Sequence, residues 1–317
     1  MDTQLVEVSK SILVTSLALK QEDTLLVVAD LEKKELAEAI QKAGLALGAE
    51  SLLMVMKERE KDGEEPPTPI AEAMRGADVV VCVTEYSLTH TEARKRAAAS
   101  GARIATMPGI TADMFLVGAI TADYGQVQVL TEQVTRVLTT GHTVRIEKDG
   151  HSLSFSIAGR DGISSTGVYR NPGESGNLPS GESYIAPVEG TASGKIVVDG
   201  SIAGIGKVSG PLLVSVDKGR IIDLEGPDAD QLLDMLGEGD GRLLGEFGIG
   251  TNDKARITGN VLEDEKVYGT IHIAFGSNRT FGGTISAGVH IDLVVHEPDV
   301  FIDEAKILSK GRVTIQP

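Results

Sequence analysis

Over the first 140 residues, short apolar runs alternate with stretches of helical spacing. "TLLVVAD" (24–30), "SLLMVM" (51–56), "DVVVCVTE" (78–85) and "ARIATMP" (102–108) predict strands. Between the first two, "LEKKELAEAIQKAGLALGA" sets Leu31, Leu36, Ile40 and Leu45 near one helical stripe. Further helical stretches fall around 69–76, 90–100 and 111–119, and 123–140 reads as a last helix. Strands that alternate with helices predict a parallel sheet covered on both faces. The first strand runs into "ADLEKKE", with no G-x-G-x-x-G, and no Walker-type loop occurs anywhere, so a dinucleotide or phosphate cradle is rejected.

From residue 141 the period changes to two. "HTVRIEKDGHSLSFSIAGR" alternates about "KDG", a hairpin signal, and "GKIVVDGSIAG" and "PLLVSVDKGRIIDLEG" repeat the pattern. "GPDADQLLDMLGEG" reads as one short helix, and 169–183 as a long loop of the kind that carries function. The expected architecture is an α/β, Rossmann-like domain over 1–140 and a β-rich α+β domain with a metal site over 141–317.

Within that second half, parity singles out a few side chains. In "GVHIDLVVH", Val289, Ile291, Leu293 and Val295 share one face, and His290, Asp292, Val294 and His296 the other. In "GTIHIAFG", His272 points away from Ile271, Ile273 and Phe275. His290 and Asp292 should project side by side, roughly 6–7 Å apart along the strand. Glu182 in "LPSGESYIAP" and Glu246 in "RLLGEFGIGTN" lodge among apolar residues, where a carboxylate is costly unless paired, protonated or bound to a cation. Two glutamates, two histidines and an aspartate form an oxygen and nitrogen set suited to Zn, Co, Mn or Fe, and carboxylates can bridge two ions.

Composition narrows the class. Apolar residues make up 41% of the 317, enough for a substantial core, but aromatics only 3% with no Trp. Lys and Arg number 30 against 46 Asp and Glu, a formal charge of −16, which opposes a grip on nucleic acid or an anionic membrane. The single cysteine, Cys82, lies in an apolar strand and reads as a small core residue. With no disulfide, no basic leader and no long apolar span, a cytoplasmic protein is expected. His142 and His151 flank the hairpin turn and His296 ends a strand, all three reading as surface positions. The run Glu263, Asp264, Glu265 reads as a solvated turn, and Glu189 in "APVEGTASG" is a minor candidate for a general base.

The segments "LPSGE…AP", "LLGEFGIGTN…ITGN.LEDEK", "GTIHIAFG" and "HIDLVV", together with "SLTHTEARKRAAASGARIATMPGIT", resemble the signature segments of the aminopeptidase T family of dinuclear metallo-aminopeptidases. That resemblance implies metal ligands at Glu182, Glu246, His272, His290 and Asp292. It also implies two divalent ions (Zn, Co or Mn) bridged by Glu246, hydrolysis of small peptides from the N-terminus by a metal-bound hydroxide, and a homodimer. Where the family carries a tyrosine after its "HIA.G" segment, this chain has Arg279, which can hold a carboxylate or an oxyanion but cannot donate a phenolic proton. The alternative comes from related dioxygenases that open the ring of dihydroxypyridines, keep the His-x-Asp pair and use one Fe(II). They also resemble the chain around "SLTHTEAR". There Thr89 and Glu92 suggest a capping box that would set His90 at a helix start facing a ligand cleft.

Overall fold

The computed structural model describes residues 2–315. The chain forms two compact units, one made of the residues up to Gly125 with Gly167–Ser180, the other of Gln126–Thr166 with Gly181 onward. In chain order the elements of the first are α1 (Asp2–Thr15), β1 (Thr24–Asp30), α2 (Lys34–Ala46), β2 (Glu50–Met56), α3 (Thr68–Gly76), β3 (Val79–Val83), α4 (Glu92–Ala99), β4 (Arg103–Thr106) and α5 (Ala112–Leu116). Next come α6 (Tyr124–Thr140), β5 (Thr143–Lys148), β6 (His151–Ser156), β7 (Ile163–Ser165), β8 (Ser175–Asn177) and β9 (Glu182–Ile185).

The four early strands pair in parallel, as alternation with helices requires, and β3 is buried throughout, Cys82 included. Burial pushes the Cys82 thiol up to about 12, so it is an inert core residue. Two expectations fail in detail. The α2 stripe runs through Leu36, Ile40, Ala43 and Gly44, while Leu31 and Leu45 are exposed. Thr91, not Thr89, caps α4, its side chain accepting from the Arg94 amide. Thr89 Oγ1 instead meets Thr106 and Asn177.

The units do not part at residue 140. Val134 and Leu138 of α6 belong to the core of the second unit, because the apolar face of that helix packs beneath its strands. Conversely, 169–183 is not one long loop, since β8 pairs in parallel with β4 and extends the first sheet to five strands.

The second unit is a pair of antiparallel sheets of eight and seven strands. The remaining elements named here are β10 (Ser193–Val198), α7 (Ala229–Leu236), β11 (Leu244–Gly250), α8 (Val261–Asp264), β12 (Ile271–Gly276) and β13 (His290–Val295). One core lies between the sheets, with Val144, Ile146, Leu153 and Phe155 from one and Phe247, Ile271, Ile273, Phe275 and Leu293 from the other. The Phe155 and Phe247 rings meet edge to face at 5.5 Å. The β5–β6 hairpin turns at Asp149 and Gly150, both at positive φ, which the "DG" dipeptide allows without strain. Among the described residues no helix is long and apolar enough to cross a membrane.

Candidate metal centre

Strands β9, β11, β12 and β13 lie side by side, with one face on the core and the other bearing polar groups. Alternation alone would turn Leu244 and Glu246 to the same side. A bulge between them, at Gly245, breaks the parity, so Leu244 enters the core while Glu246 faces away from it. Register then brings Glu246 level with Ala274 and Asp292, His272 level with Gly248, and His290 level with Gly276. The neighbours of the functional side chains are thus small. A Cβ on Gly248 would lie 2.0 Å from His272 Nε2, so only glycine leaves room for the imidazole.

All five predicted residues converge. His272 Nε2 lies 3.2 Å from Glu246 Oε1 and 3.6 Å from Glu182 Oε2. His290 Nε2 lies 3.3 Å from Glu246 Oε2 and 3.5 Å from Asp292 Oδ1. Glu182, Glu246, His272 and Asp292 are buried, whereas the His290 side chain keeps 31% of its surface in solvent. Two groups, Glu246–His290–Asp292 and Glu182–Glu265–His272, each have donor atoms within 4.8 Å of one another and could hold a metal ion. The residues fit such an ion on a further ground. Asp292 Oδ1 and His272 Nδ1 are buried without a hydrogen bond, the former with the His290 imidazole 3.5 Å away, and a buried carboxylate oxygen so placed suits a cation.

The charges shift together. Burial would push Glu246 up, but the His272 and His290 imidazoles beside it hold it down to about 2. Burial would lower His272, yet its hydrogen bond to Glu246 and the nearby Glu182 and Glu265 push it up to about 9. Burial likewise opposes protonation of His290, and Asp292 and Glu246 outweigh it, holding His290 well above the usual imidazole value. Burial and the neighbouring Glu182 push Glu265 up to about 8, against the pull of Lys266.

Glu265 and Lys266 are the residues that the sequence did not nominate. The run 263–265 is no solvated turn. Glu263 and Asp264 have no exposed surface, and Asp264 accepts from the amides of Thr258 and Gly259, pinning the preceding loop. Glu263 accepts from the Arg256 amide and guanidinium. Lys266 is also fully buried, its ammonium 2.8 Å from Glu182 Oε1 and bonded to Glu265 as well. An acidic run ending in lysine carries no local signal of burial. Lys266 meets Glu182 from 84 residues away, a contact that no neighbouring residue announces.

The remaining candidates are placed as follows. Arg279 is exposed in a 3-10 turn over Arg279–Phe281 and makes no ion pair among the described residues. Phe281, in the same turn, stands edge-on to both Tyr184 and His290. Glu189 is not free to act as a base. It is paired with Arg160 and accepts from Thr284 N and Asn278 Nδ2, fastening the loop that leads into β13. His90 is exposed in the first unit, just before α4. His142 is exposed beside Asp303, and His151 and His296 are half-buried outside the metal-binding groups.

With this geometry in hand, similarity to known proteins decides the family. The family model described as 2,5-dihydroxypyridine 5,6-dioxygenase (NicX) matches residues 4–315. The chain belongs to that NicX family. The solved structure of 2,5-dihydroxypyridine dioxygenase from Pseudomonas putida KT2440 superposes with a TM-score of 0.81 at 18% identity, over 100% of this chain and 98% of that one. Wild-type AmpT from Thermus thermophilus gives a TM-score of 0.69 at 17% identity, over 99% of each chain. No curated protein sequence matches the chain. At such identities the two structures show a shared fold. The expectation of an aminopeptidase is overturned, since the family match places the chain with NicX over its whole described length. The likeness to AmpT is one of fold.

Proposed function

We propose that the protein is a mononuclear Fe(II) dioxygenase that opens the ring of a dihydroxylated N-heterocycle. The observation that carries the reading is the NicX match across 4–315 taken with a buried donor set built around the His290-x-Asp292 pair. His290 and Asp292 would supply two ligands, and His272, which meets the same Glu246 carboxylate as His290, would supply the third. Two imidazoles with one carboxylate are the donor chemistry of non-haem Fe(II) oxygenases. Iron held by these residues would supply the oxygen-activating chemistry.

The protein's own groups then have distinct tasks. Glu246, held ionised between two imidazoles, fixes the orientation of both rings. Phe281, edge-on to His290, offers a flat apolar surface to a planar ring, and Arg279 on the same turn offers a cation to an ionised hydroxyl.

The test is anaerobic reconstitution with Fe(II), followed by oxygen uptake on 2,5-dihydroxypyridine and on a leucyl peptide as control. Stoichiometric uptake with ring opening is expected, with no peptide cleavage. His272→Ala should lose iron, whereas Glu246→Gln should retain it at weaker affinity. Iron-loaded protein inert toward every dihydroxypyridine offered would end the proposal.

A further inference from the structure

A carboxylate pair with an imidazole, buried beside a metal centre, ordinarily calls for a cation of its own. Glu182, Glu265 and His272 form such a group, with donor atoms within 4.8 Å. A cation is already present. The Lys266 ammonium lies 2.8 Å from Glu182 Oε1, is bonded to Glu265, and has no exposed surface. Its backbone is held too, with its amide donating to Glu263 O and its carbonyl accepting from the Asn252 amide. The ammonium therefore cannot swing aside without unpicking a stretch of the fold.

We propose that Lys266 is a resident cation that withholds Glu182 and Glu265 from a second metal ion and so limits the centre to one. A lysine places one positive charge where a divalent ion would place two, and it offers donors where an ion would accept lone pairs. Its donors take up one oxygen each of Glu182 and Glu265, and its charge repels a metal ion from both carboxylates. The same sheet face could otherwise serve two chemistries. One ion with open positions suits oxygen activation, and two adjacent ions suit attack by a bridging hydroxide. This deepens the single-ion reading given above and rests on it.

The experiment counts ions. Wild-type protein titrated with Mn(II), and anaerobically with Fe(II), should saturate at one ion per chain. Lys266→Ala should saturate at two, and adding Glu265→Gln to that variant should return the count to one. Lys266→Arg should stay at one. If Lys266→Ala fails to fold alone, excess Mn(II) should restore it, because the second ion then takes the place of the ammonium. Two ions in the wild type, one in the folded Lys266→Ala variant, or an unfolded variant that Mn(II) does not rescue would each overturn the inference. A lysine with only a structural role would change thermal stability and leave the counts alone. Failure of oxygen uptake, by contrast, would remove the oxygenase reading and leave these counts as they are.

Discussion

Gly248 shows how one missing methyl group sets the centre. It lies level with His272, and a Cβ there would meet the imidazole at 2.0 Å. Gly248→Ala should therefore push the ring from Glu246. Overpacking of a filled site costs about 1–3 kcal/mol. We expect a lower unfolding temperature together with at least tenfold weaker metal binding, measured by calorimetric titration. Unchanged binding would mean that the ring has room that the geometry denies. Lys266 is the complementary case at the same scale. In "LEDEKVYGT" it reads as a surface residue, since four charged side chains in a row normally seek water. The local pattern cannot reveal that Glu182, 84 residues away, will meet it beside the neighbouring Glu265.

At the level of elements, the strands β12 and β13 were legible because their apolar and polar positions alternate without interruption, and the core takes Ile271, Ile273, Phe275, Ile291, Leu293 and Val295 as that alternation requires. Strand β11 was less so. The bulge at Gly245 reverses the phase between Leu244 and Glu246, and no rule of alternation foresees a bulge. The segment between β12 and β13 forms a loop fastened by the Arg160–Glu189 pair and by the Thr284 amide, which donates to Glu189 Oε1 at 2.6 Å. Glu189→Gln should loosen this loop at a cost of about 1 kcal/mol, the scale of a partly exposed ion pair. Hydrogen exchange should then quicken at Thr284 and its neighbours while the amides of β12 keep their protection. Equal protection in variant and wild type would show that the pair does not hold the loop.

For the whole molecule, the buried cluster ties stability to pH. His272 rises on folding from 6.5 to about 9 and Glu265 from 4.5 to about 8. A group raised on folding favours the fold while protonated, so both contributions are lost as pH climbs toward these values. Glu246 falls to about 2, so its contribution is present above 4.5 and vanishes only in strong acid. The metal-free protein should thus lose stability from pH 6 to pH 9. A bound ion needs its imidazole ligands deprotonated, so the rise in unfolding temperature on adding metal should grow over that interval. Scanning calorimetry with and without Mn(II) checks both signs, and a metal-induced shift that shrinks toward pH 9 would refute the assignment. The formal charge of −16 adds a long-range attraction for cations that salt will screen.

What the sequence determined by itself is local. A period of two told which faces of β12 and β13 avoid the core, and alternation of apolar runs with helical stretches told that the early strands are parallel. Periodicity is written in neighbouring residues, so it survives without knowledge of the fold. Tertiary structure decided the rest. It carried α6 into the second unit and β8 into the first, turned Glu246 outward at a bulge, and buried Lys266 between Glu182 and Glu265. Each of these depends on partners far away in the chain, whose meeting is fixed by packing and by the need to satisfy buried charge rather than by any pattern along the backbone.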